Sequence, residues 1–390
     1  MAIALGGLPR HRVADRSLGG GLRWRDFDPF LLITTVVLMI FGVVAIWSAE
    51  GGGALVYGNL GVKQGIFAFL GVIMMFIISA IDYRFFNTLA WILYGLAVFL
   101  LVAVLVPGVG TEIAGSQRWF LLPGGISIQP SEFGKIATII AVASFVSSRG
   151  TEMREFGNFV VSGLIAAVPM GLVFLQPDLG TTIVYGVIWL AILLVSPTSR
   201  KYFGMLLLLA GPAFIFAWEF VFHDYQKTRL LVSYDPERDP LRDGFNIIQA
   251  RISIGSGDWF GAGLLGGSQS QAELLKVRES DFIFAHASGM FGFVGMLALF
   301  LSFGILLWRC LAVIETSKDS FGQFVAVGVS ATLFFQSFVN IGMNLGLMPV
   351  TGITLPFVSS GASSLWSFLI AQGILQSIRM RHRKLAFQVG

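Results

Sequence analysis

Residues 27–48 read FDPFLLITTVVLMIFGVVAIWS, and this stretch decides the class of fold. From Pro29 to Ser48 it contains no charged side chain, and an α-helix needs about 20 mainly apolar residues to cross the hydrocarbon core of a bilayer. Six basic-type residues between Arg10 and Arg25 precede it, which is a longer head than a signal peptide has. We therefore interpret 27–48 as an uncleaved first membrane span.

Nine further apolar runs follow, at residues 64–81, 88–106, 130–147, 159–175, 179–195, 203–222, 282–308, 321–345 and 359–378. Only helices and closed barrels satisfy every backbone polar group in lipid, and runs this long and continuous are typical of helices. The sequence thus predicts an all-α integral membrane protein, a polytopic bundle of about ten transmembrane helices within residues 27–378. A large loop, 223–281, separates spans seven and eight.

The composition of the 390 residues excludes other classes. Only 12% of the residues are charged and 55% are hydrophobic, whereas an ordinary soluble domain has about 25% charged residues. This excludes a soluble enzyme and a disordered protein, and the single cysteine, Cys310, excludes an internal disulfide scaffold. The net charge of +4 needs no nucleic acid partner, because excess cations in a membrane protein are a topology signal.

The side on which the cations lie predicts the topology. With the N-terminus inside, 16 Lys and Arg residues fall on inner segments, 3 on short outer segments and 7 in the 223–281 loop. Short cytoplasmic loops are enriched in Lys and Arg. We therefore expect a protein of the cytoplasmic (inner) membrane with a cytoplasmic segment 1–26, a basic cytoplasmic tail 379–390 and two extracytoplasmic loops, 107–129 and 223–281.

Both predicted outer loops are rich in glycine and in polar residues, and long ordered loops are usually functional. Apolar and polar residues alternate over 245–254, which indicates an amphipathic segment. The glycines between residues 255 and 267 favour tight turns at the membrane face over a phosphate-binding loop, because no GxxxxGK[ST] motif is present.

A charged residue within or next to a membrane span indicates a structural or functional role, because an isolated charge in the bilayer costs several kcal/mol of free energy. Glu132 and Lys135 share a helix face and form an interfacial ion pair, a polar wall of a substrate cavity, or both. Asp178 follows a tight turn, where aspartate favours an N-cap. Asp281 precedes the eighth run and is either another N-cap or a partly desolvated general base.

The Arg118–Trp119 pair and the histidines are two further candidates for binding sites. Arg118 and Trp119 either hold an anion and stack on a sugar or form an ordinary interfacial pair. His223 and His286 are isolated and no clustered His/Cys set is present, so no structural metal site is expected.

Seven stretches together resemble the SEDS family (shape, elongation, division and sporulation), and most closely its RodA branch. They are GSQRW at 115–119, QPSEFGK at 129–135, QPDLGT at 176–181, DPERDP at 235–240, QARISIGSG at 249–257, DFIFA at 281–285, and NIGMNLG at 340–346 with PVTG at 349–352 and PFVS at 356–359. The resemblance covers all ten spans in order.

The resemblance implies a peptidoglycan glycosyltransferase for cell wall elongation and cell shape, polymerising lipid II at the outer membrane face beside a class B penicillin-binding protein transpeptidase. Asp281 matches the family's essential acidic residue, a general base that deprotonates the acceptor hydroxyl. Membrane lipid is a further expected partner, and a divalent cation at the diphosphate is a cofactor that the sequence neither requires nor excludes. The motifs also supply the expected substrate-binding residues, which are Arg118, Trp119, Glu132, Lys135, Gln176, Asp178, Gln249 and Arg251.

Some positions depart from the family pattern around Asp281. They are Lys276, Val277, Glu279, Gly289, Met290, Ser360 and Ala362. Two alternatives stay open. One is a flippase or transporter of a lipid-linked precursor, a role also proposed for the family that the sequence resembles. The other is a non-catalytic scaffold that activates the transpeptidase, which the departures around Asp281 keep open. A transporter should carry charges near the bilayer midplane, often in repeated halves, whereas the unusual polar residues here gather toward the outer loops.

Overall fold

The computed structural model describes residues 24–381 except 55, 57, 114–115, 124, 223, 239–242, 266–274 and 276. Gly115, Asp239, Pro240 and Lys276, most of the 1–26 segment and most of the 379–390 tail therefore lie outside the described residues.

Thirteen α-helices make up most of the described chain. They are α1 (Pro29–Ala49), α2 (Leu60–Ala80), α3 (Tyr83–Thr88), α4 (Ala90–Ala103), α5 (Pro130–Arg149), α6 (Phe156–Phe174), α7 (Leu179–Val195), α8 (Arg200–Phe220), α9 (Asp224–Tyr234), α10 (Asp243–Gly255), α11 (Ile283–Thr316), α12 (Ser320–Asn344) and α13 (Ala362–Met380). Three short 3₁₀ helices, Trp24–Asp26, Gly150–Arg154 and Pro236–Arg238, join them.

Each of the ten predicted spans coincides with one of these helices, so the predicted helical membrane bundle is confirmed. Among the described residues, six helices are long and apolar enough to cross a membrane, namely α1, α2, α6, α8, α11 and α12. The apolar helices α4 and α7 are shorter. Helices α5 and α13 are less apolar because they bury polar side chains such as Glu132 and Gln372 inside the bundle.

Prolines and capping residues explain where several helices begin. Asp28 caps α1 by accepting a hydrogen bond from the Leu31 amide at 3.1 Å, and Pro29 follows at the first helical position. Pro130 has the same position in α5. Proline suits this position because its missing N–H would have no partner there.

The predicted loop 107–129 contains a small antiparallel sheet. Its strands are β1 (Thr111–Ile113), β2 (Ser116–Leu122) and β3 (Ile126–Ile128), in the order β1-β2-β3. Within the larger loop, the segment predicted to be amphipathic, 245–254, lies in helix α10, where Ile252 is exposed and Ser253 is buried. Helix α9 was not predicted.

Helices α5, α12 and α13 lie at the centre of the bundle, and their side chains are largely buried. Helix α8 is the opposite case, because Tyr202 is its one buried residue. The site described below lies at the end of the bundle where α5 and α13 begin.

At the other end of the bundle, Asp28 joins three helices. Its carboxylate pairs with the Arg309 guanidinium of α11. Its main-chain N–H donates to Gln376 Oε1 of α13 at 3.0 Å, and Gln376 Nε2 donates to its main-chain oxygen at 2.8 Å. Asp28 thus holds α1, α11 and α13 together, through buried contacts with Gln376 and a partly buried contact with Arg309.

A close approach between α1 and the segment before α13 gives a first testable prediction. A Cβ at Gly42 would lie 2.5 Å from the main-chain oxygen of Val358, whereas a Cβ at Gly65 would have its nearest neighbour at 4.0 Å. We expect Gly42→Ala to destabilise the protein by about 1–3 kcal/mol, because the backbone must move to admit the methyl group. Thermal unfolding in detergent, with Gly65→Ala as the matched helical control, measures the difference. Equal unfolding temperatures for the two variants would contradict this packing.

Candidate active-site cavity

A cavity of about 860 Å³ lies between the β-sheet, the turn before α7, helix α9 and the residues that precede α11 and α13. Its volume is in the range of pockets that bind small molecules and cofactors. Its polar lining includes Lys63, Gln64, Arg118, Gln129, Glu132, Asp178, Thr181, Gln226, Arg229, Glu279, Ser280, Asp281, Gln336 and Thr351.

Strand β2 places Arg118 at the cavity wall. Its Nη1 lies 2.9 Å from Asp178 Oδ2, and its guanidinium carbon lies 4.5 Å from the centre of the Trp119 ring. Asp178 also caps α7, accepting a hydrogen bond from the Thr181 amide at 3.0 Å. The N-cap predicted for Asp178 is therefore present, and the same carboxylate fixes the guanidinium beside the cavity.

Glu132 and Lys135 form a buried ion pair at the floor of the cavity. Lys135 Nζ donates to Glu132 Oε2 at 2.8 Å and to Gln336 Oε1 at 3.2 Å. Ser367 Oγ donates to the same Glu132 oxygen at 3.3 Å. Glu132 lines the cavity while Lys135 is 2% exposed behind it, so the pair is an ion pair within the bundle and also part of the cavity wall.

Asp281 faces the cavity from the turn before α11. Phe282, not Asp281, has the N-cap position of α11, so the carboxylate is not used as a cap. Ser280 Oγ donates to Asp281 Oδ1 at 3.2 Å. The main-chain oxygen of Asp281 accepts hydrogen bonds from Asn340 Nδ2 at 3.2 Å and from Asn344 Nδ2 at 3.0 Å. Two asparagines of α12 thus hold the backbone of Asp281 in place.

The surroundings of Asp281 raise the pKa of its carboxyl group to about 6. Burial is the largest cause, because it disfavours the charged form. The hydrogen bond from Ser280 and the positive charges of Arg118 and Arg229 lower the pKa, and the negative charge of Asp178 raises it. The carboxylate is therefore ionised at neutral pH and is basic enough to accept a proton.

The cavity brings together five of the nine predicted site residues. Arg118, Trp119, Glu132, Asp178 and Asp281 line it, and Lys135 lies directly behind Glu132.

Gln176, Gln249 and Arg251 do not line the cavity. Gln176 is buried and its Nε2 donates to the main-chain oxygen of Leu101 at 3.1 Å. Gln249 is buried within α10. Arg251 Nη2 donates to the main-chain oxygen of Gly346 at 3.1 Å, which ties α10 to the end of α12.

The residues that depart from the family pattern lie in two places. Val277, Glu279, Ser360 and Ala362 line the cavity that contains Asp281. Gly289 and Met290 are buried in α11, away from the cavity lining.

Several cavity residues were not singled out from the sequence. Gln226 and Arg229 come from α9, and Lys63 and Gln64 come from the first turn of α2. The spacing of Gln226, Arg229 and Leu230 places one face of α9 on the cavity. That spacing was the signal in the sequence from which these cavity residues could have been predicted. It is a weak signal, because polar residues are common in a loop.

A comparison with protein-family models matches residues 29–384 to the cell cycle protein family FtsW/RodA/SpoVE. The chain belongs to this family. Among curated FtsW/RodA/SpoVE relatives, the peptidoglycan glycosyltransferase MrdB of Escherichia coli K12 is 38% identical over 358 residues, which is 92% of this chain and 94% of MrdB.

Solved structures of the FtsW/RodA/SpoVE family share this fold. A chain from a peptidoglycan synthase complex that coordinates polymerization and crosslinking superimposes with a TM-score of 0.79 at 29% identity, covering 93% of this chain and 100% of that chain. The rod shape determining protein RodA of Thermus thermophilus gives a TM-score of 0.69 at 26% identity, covering 93% and 99%. Together with the helices that are long and apolar enough to cross a membrane, these matches identify a multi-pass membrane protein.

Proposed function

We propose that this chain, a peptidoglycan glycosyltransferase by its family, polymerises lipid II with Asp281 as the general base. The observation that carries the proposal is the position of Asp281, whose carboxylate lies on the wall of a cavity that also holds Arg118 and Arg229. In the proposed step, Asp281 removes a proton from the acceptor sugar hydroxyl while that oxygen attacks the anomeric carbon of the donor. The bond from this carbon to the diphosphate breaks, and the polyprenyl diphosphate leaves.

The cations of the cavity fit the charge that develops on the leaving group. Fixed positive groups stabilise a transition state when they already lie where negative charge appears. Arg118 is fixed by Asp178 and by stacking on Trp119. Arg229 of α9 is a second cation on the cavity wall. In the part of the chain that the structure describes, no group of three or more His, Cys, Asp or Glu side chains is arranged to hold a metal. A divalent cation at the diphosphate stays a prediction, with ligands from the substrate.

The pH dependence of polymerisation tests the proposal. A base with a pKa of about 6 loses its active form as the pH falls through that value, so the rate of the wild type should fall about tenfold per pH unit below it. Ser280→Ala removes a hydrogen bond that lowers the pKa of Asp281, so the pH at which activity falls should be higher. Polymer formation from labelled lipid II is measured from about pH 4.5 to about pH 8, because a base of this pKa titrates within that range.

The outcomes separate the candidate functions. The control variant is Ser302→Ala. Ser302 Oγ donates a hydrogen bond to the main-chain oxygen of Ala298 on the outer surface of α11, so this variant should keep the pH profile of the wild type. A pH-independent rate, or a profile that Ser280→Ala leaves unchanged, contradicts the role of Asp281. Movement of lipid II between leaflets without polymer would favour the flippase, and activation of a transpeptidase without polymer would favour the scaffold.

We further propose a class B penicillin-binding protein transpeptidase as the partner and cell wall elongation as the setting. A solved chain of similar fold belongs to a peptidoglycan synthase complex, which supports a transpeptidase partner. The distribution of Lys and Arg supports an inner-membrane protein with residues 1–26 and 379–390 in the cytoplasm and the cavity at the extracytoplasmic end.

A further inference from the structure

Helix α11 is interrupted at Gly292, whose backbone has φ 60° and ψ −165°. A helix that breaks leaves N–H groups beyond the break and C=O groups before it without partners inside the helix. In lipid each such group costs several kcal/mol unless something else satisfies it. The break therefore needs partners from elsewhere in the chain.

Residues 256–265, called here the 256–265 loop, provide these partners. Before the break, the main-chain oxygens of Gly289 and Met290 accept hydrogen bonds from the amides of Ala262 at 3.0 Å and Gly263 at 3.1 Å. Beyond the break, the amides of Phe293 and Val294 donate to the main-chain oxygens of Asp258 at 2.8 Å and Trp259 at 3.1 Å. Four main-chain hydrogen bonds thus replace those that the helix loses.

This docking requires glycine at the contact. A Cβ at Gly257 would lie 2.2 Å from the main-chain oxygen of Ser288, and one at Gly261 would lie 2.0 Å from that of Met290. Gly261 also has a φ of +75°, which side chains other than glycine rarely adopt. The loop and the helix touch backbone to backbone.

The docked loop lies beside the membrane-spanning bundle. Phe291 of α11, next to the break at which the loop docks, has its ring 4.9 Å from that of Phe41, which is in the middle of α1. The loop then returns to the end of α1, because a Cβ at Gly52 would lie 2.2 Å from Leu265 Cδ2. The chain thus enters the level of the spanning helices and leaves it again.

The side chains at this point of the loop are apolar and uncovered. Trp259 is 65% exposed and Phe260 80% exposed. The Trp259 ring lies 5.3 Å from the ring of Phe293, which is itself exposed on α11. Their surface therefore continues the apolar outer face of a membrane-spanning helix, which lipid covers.

We propose that the 256–265 loop is a membrane anchor whose Trp259 and Phe260 side chains insert into the lipid interface at the cavity end of the bundle. Tryptophan is enriched at this depth because its ring is apolar and its N–H is polar. The exposed carboxylate of Asp258 keeps the loop at the interface, because a charge deeper in the bilayer is costly.

The anchor is hydrogen-bonded to Gly289, Met290, Phe293 and Val294 of α11, the helix that begins two residues after Asp281. It therefore fixes the height of that carboxylate relative to the headgroups, where the diphosphate of a lipid-linked substrate lies. This consequence rests on the proposed function, but the anchoring itself does not.

Single fluorescent labels test the anchor without reference to activity. Cys310 is the only cysteine and is buried, so Cys310→Ala gives a background for Phe260→Cys. Leu301→Cys on the exposed face of α11 serves as the lipid reference, and Glu237→Cys on the exposed 3₁₀ helix serves as the water reference. The protein is placed in nanodiscs that contain either a lipid-attached quencher or aqueous iodide.

We expect the ratio of lipid to iodide quenching at 260 to exceed that at 237 by about an order of magnitude, because iodide is excluded from the apolar layer. Adding Gly261→Ala should lower the ratio at 260, because its methyl group would prevent docking. Gly255→Ala, where a Cβ would have no neighbour within 4 Å, should leave the ratio unchanged.

A ratio at 260 equal to that at 237 in an intact, monodisperse protein would overturn the anchor. If the labels show that the loop is anchored but polymerisation does not depend on Asp281, only the proposed function is contradicted.

Discussion

Replacing Asp281 with asparagine is expected to lower the rate of glycan polymerisation by about 10²- to 10⁴-fold, the usual contribution of a positioned general base. Asparagine has nearly the same shape, and the hydrogen bonds from Asn340 and Asn344 go to the main-chain oxygen of residue 281. The variant should therefore fold normally and bind lipid II with a KM close to that of the wild type. Steady-state polymerisation of labelled lipid II measures both quantities.

Glu279 offers a matched control for this substitution. It is a second carboxylate on the same cavity wall, two residues away, and its main-chain oxygen is held by the Ser360 amide at 2.9 Å. Glu279→Gln should keep the rate within a fewfold of the wild type. Equal polymer from Asp281→Asn and the wild type, or an equal loss from both variants, would contradict Asp281 as the base.

Replacing Lys135 with methionine is expected to destabilise the protein by about 3–5 kcal/mol, because it leaves the Glu132 charge buried without its cation. The two side chains are 3% and 6% exposed, and their charged atoms lie 2.8 Å apart. The loss should appear as a lower unfolding temperature in detergent and as reduced yield. The double variant Glu132→Gln/Lys135→Met should recover most of the stability, since it leaves no uncompensated charge.

The control lies where the same helix ends, between Arg149 of α5 and Glu152 of the 3₁₀ helix that follows it. Arg149 and Glu152 have the same three-residue spacing at 3.5 Å, but their side chains are 48% and 59% exposed. Such surface pairs contribute about 0–1 kcal/mol, so Arg149→Met should change the unfolding temperature little. Similar shifts for Lys135→Met and Arg149→Met would show that the buried pair does not stabilise the bundle.

The membrane spans could be predicted because apolar runs of helical length admit one structure in lipid. All ten runs became helices, although the run 282–308 continues as α11 to Thr316. The break at Gly292 could not be predicted, because the run stays apolar on both sides and the cause lies in a loop distant in sequence. The small sheet was missed because β1 and β3 have only three residues each and glycines separate the strands in the sequence.

The site residues that could be predicted are charged residues next to apolar runs, where a charge is energetically costly and therefore indicates a function. Glu132, Asp178 and Asp281 are singled out by their position at the ends of apolar runs, and the cavity contains all three. Arg229 lies on the same cavity but gave no comparable signal, because a cation in a polar loop usually faces solvent. Contacts across the fold also decide that Arg251 bonds to Gly346 instead of lining the cavity.

The contacts of Asp28 limit how the bundle can change shape. Helices α11 and α13 begin near the cavity and are tied through Arg309 and Gln376 at the far side. The residues that precede these two helices are joined at the cavity side as well, where the Ser360 amide donates to the main-chain oxygen of Glu279 at 2.9 Å. A change in the relative tilt of α11 and α13 therefore has to break contacts on one side of the bundle or the other.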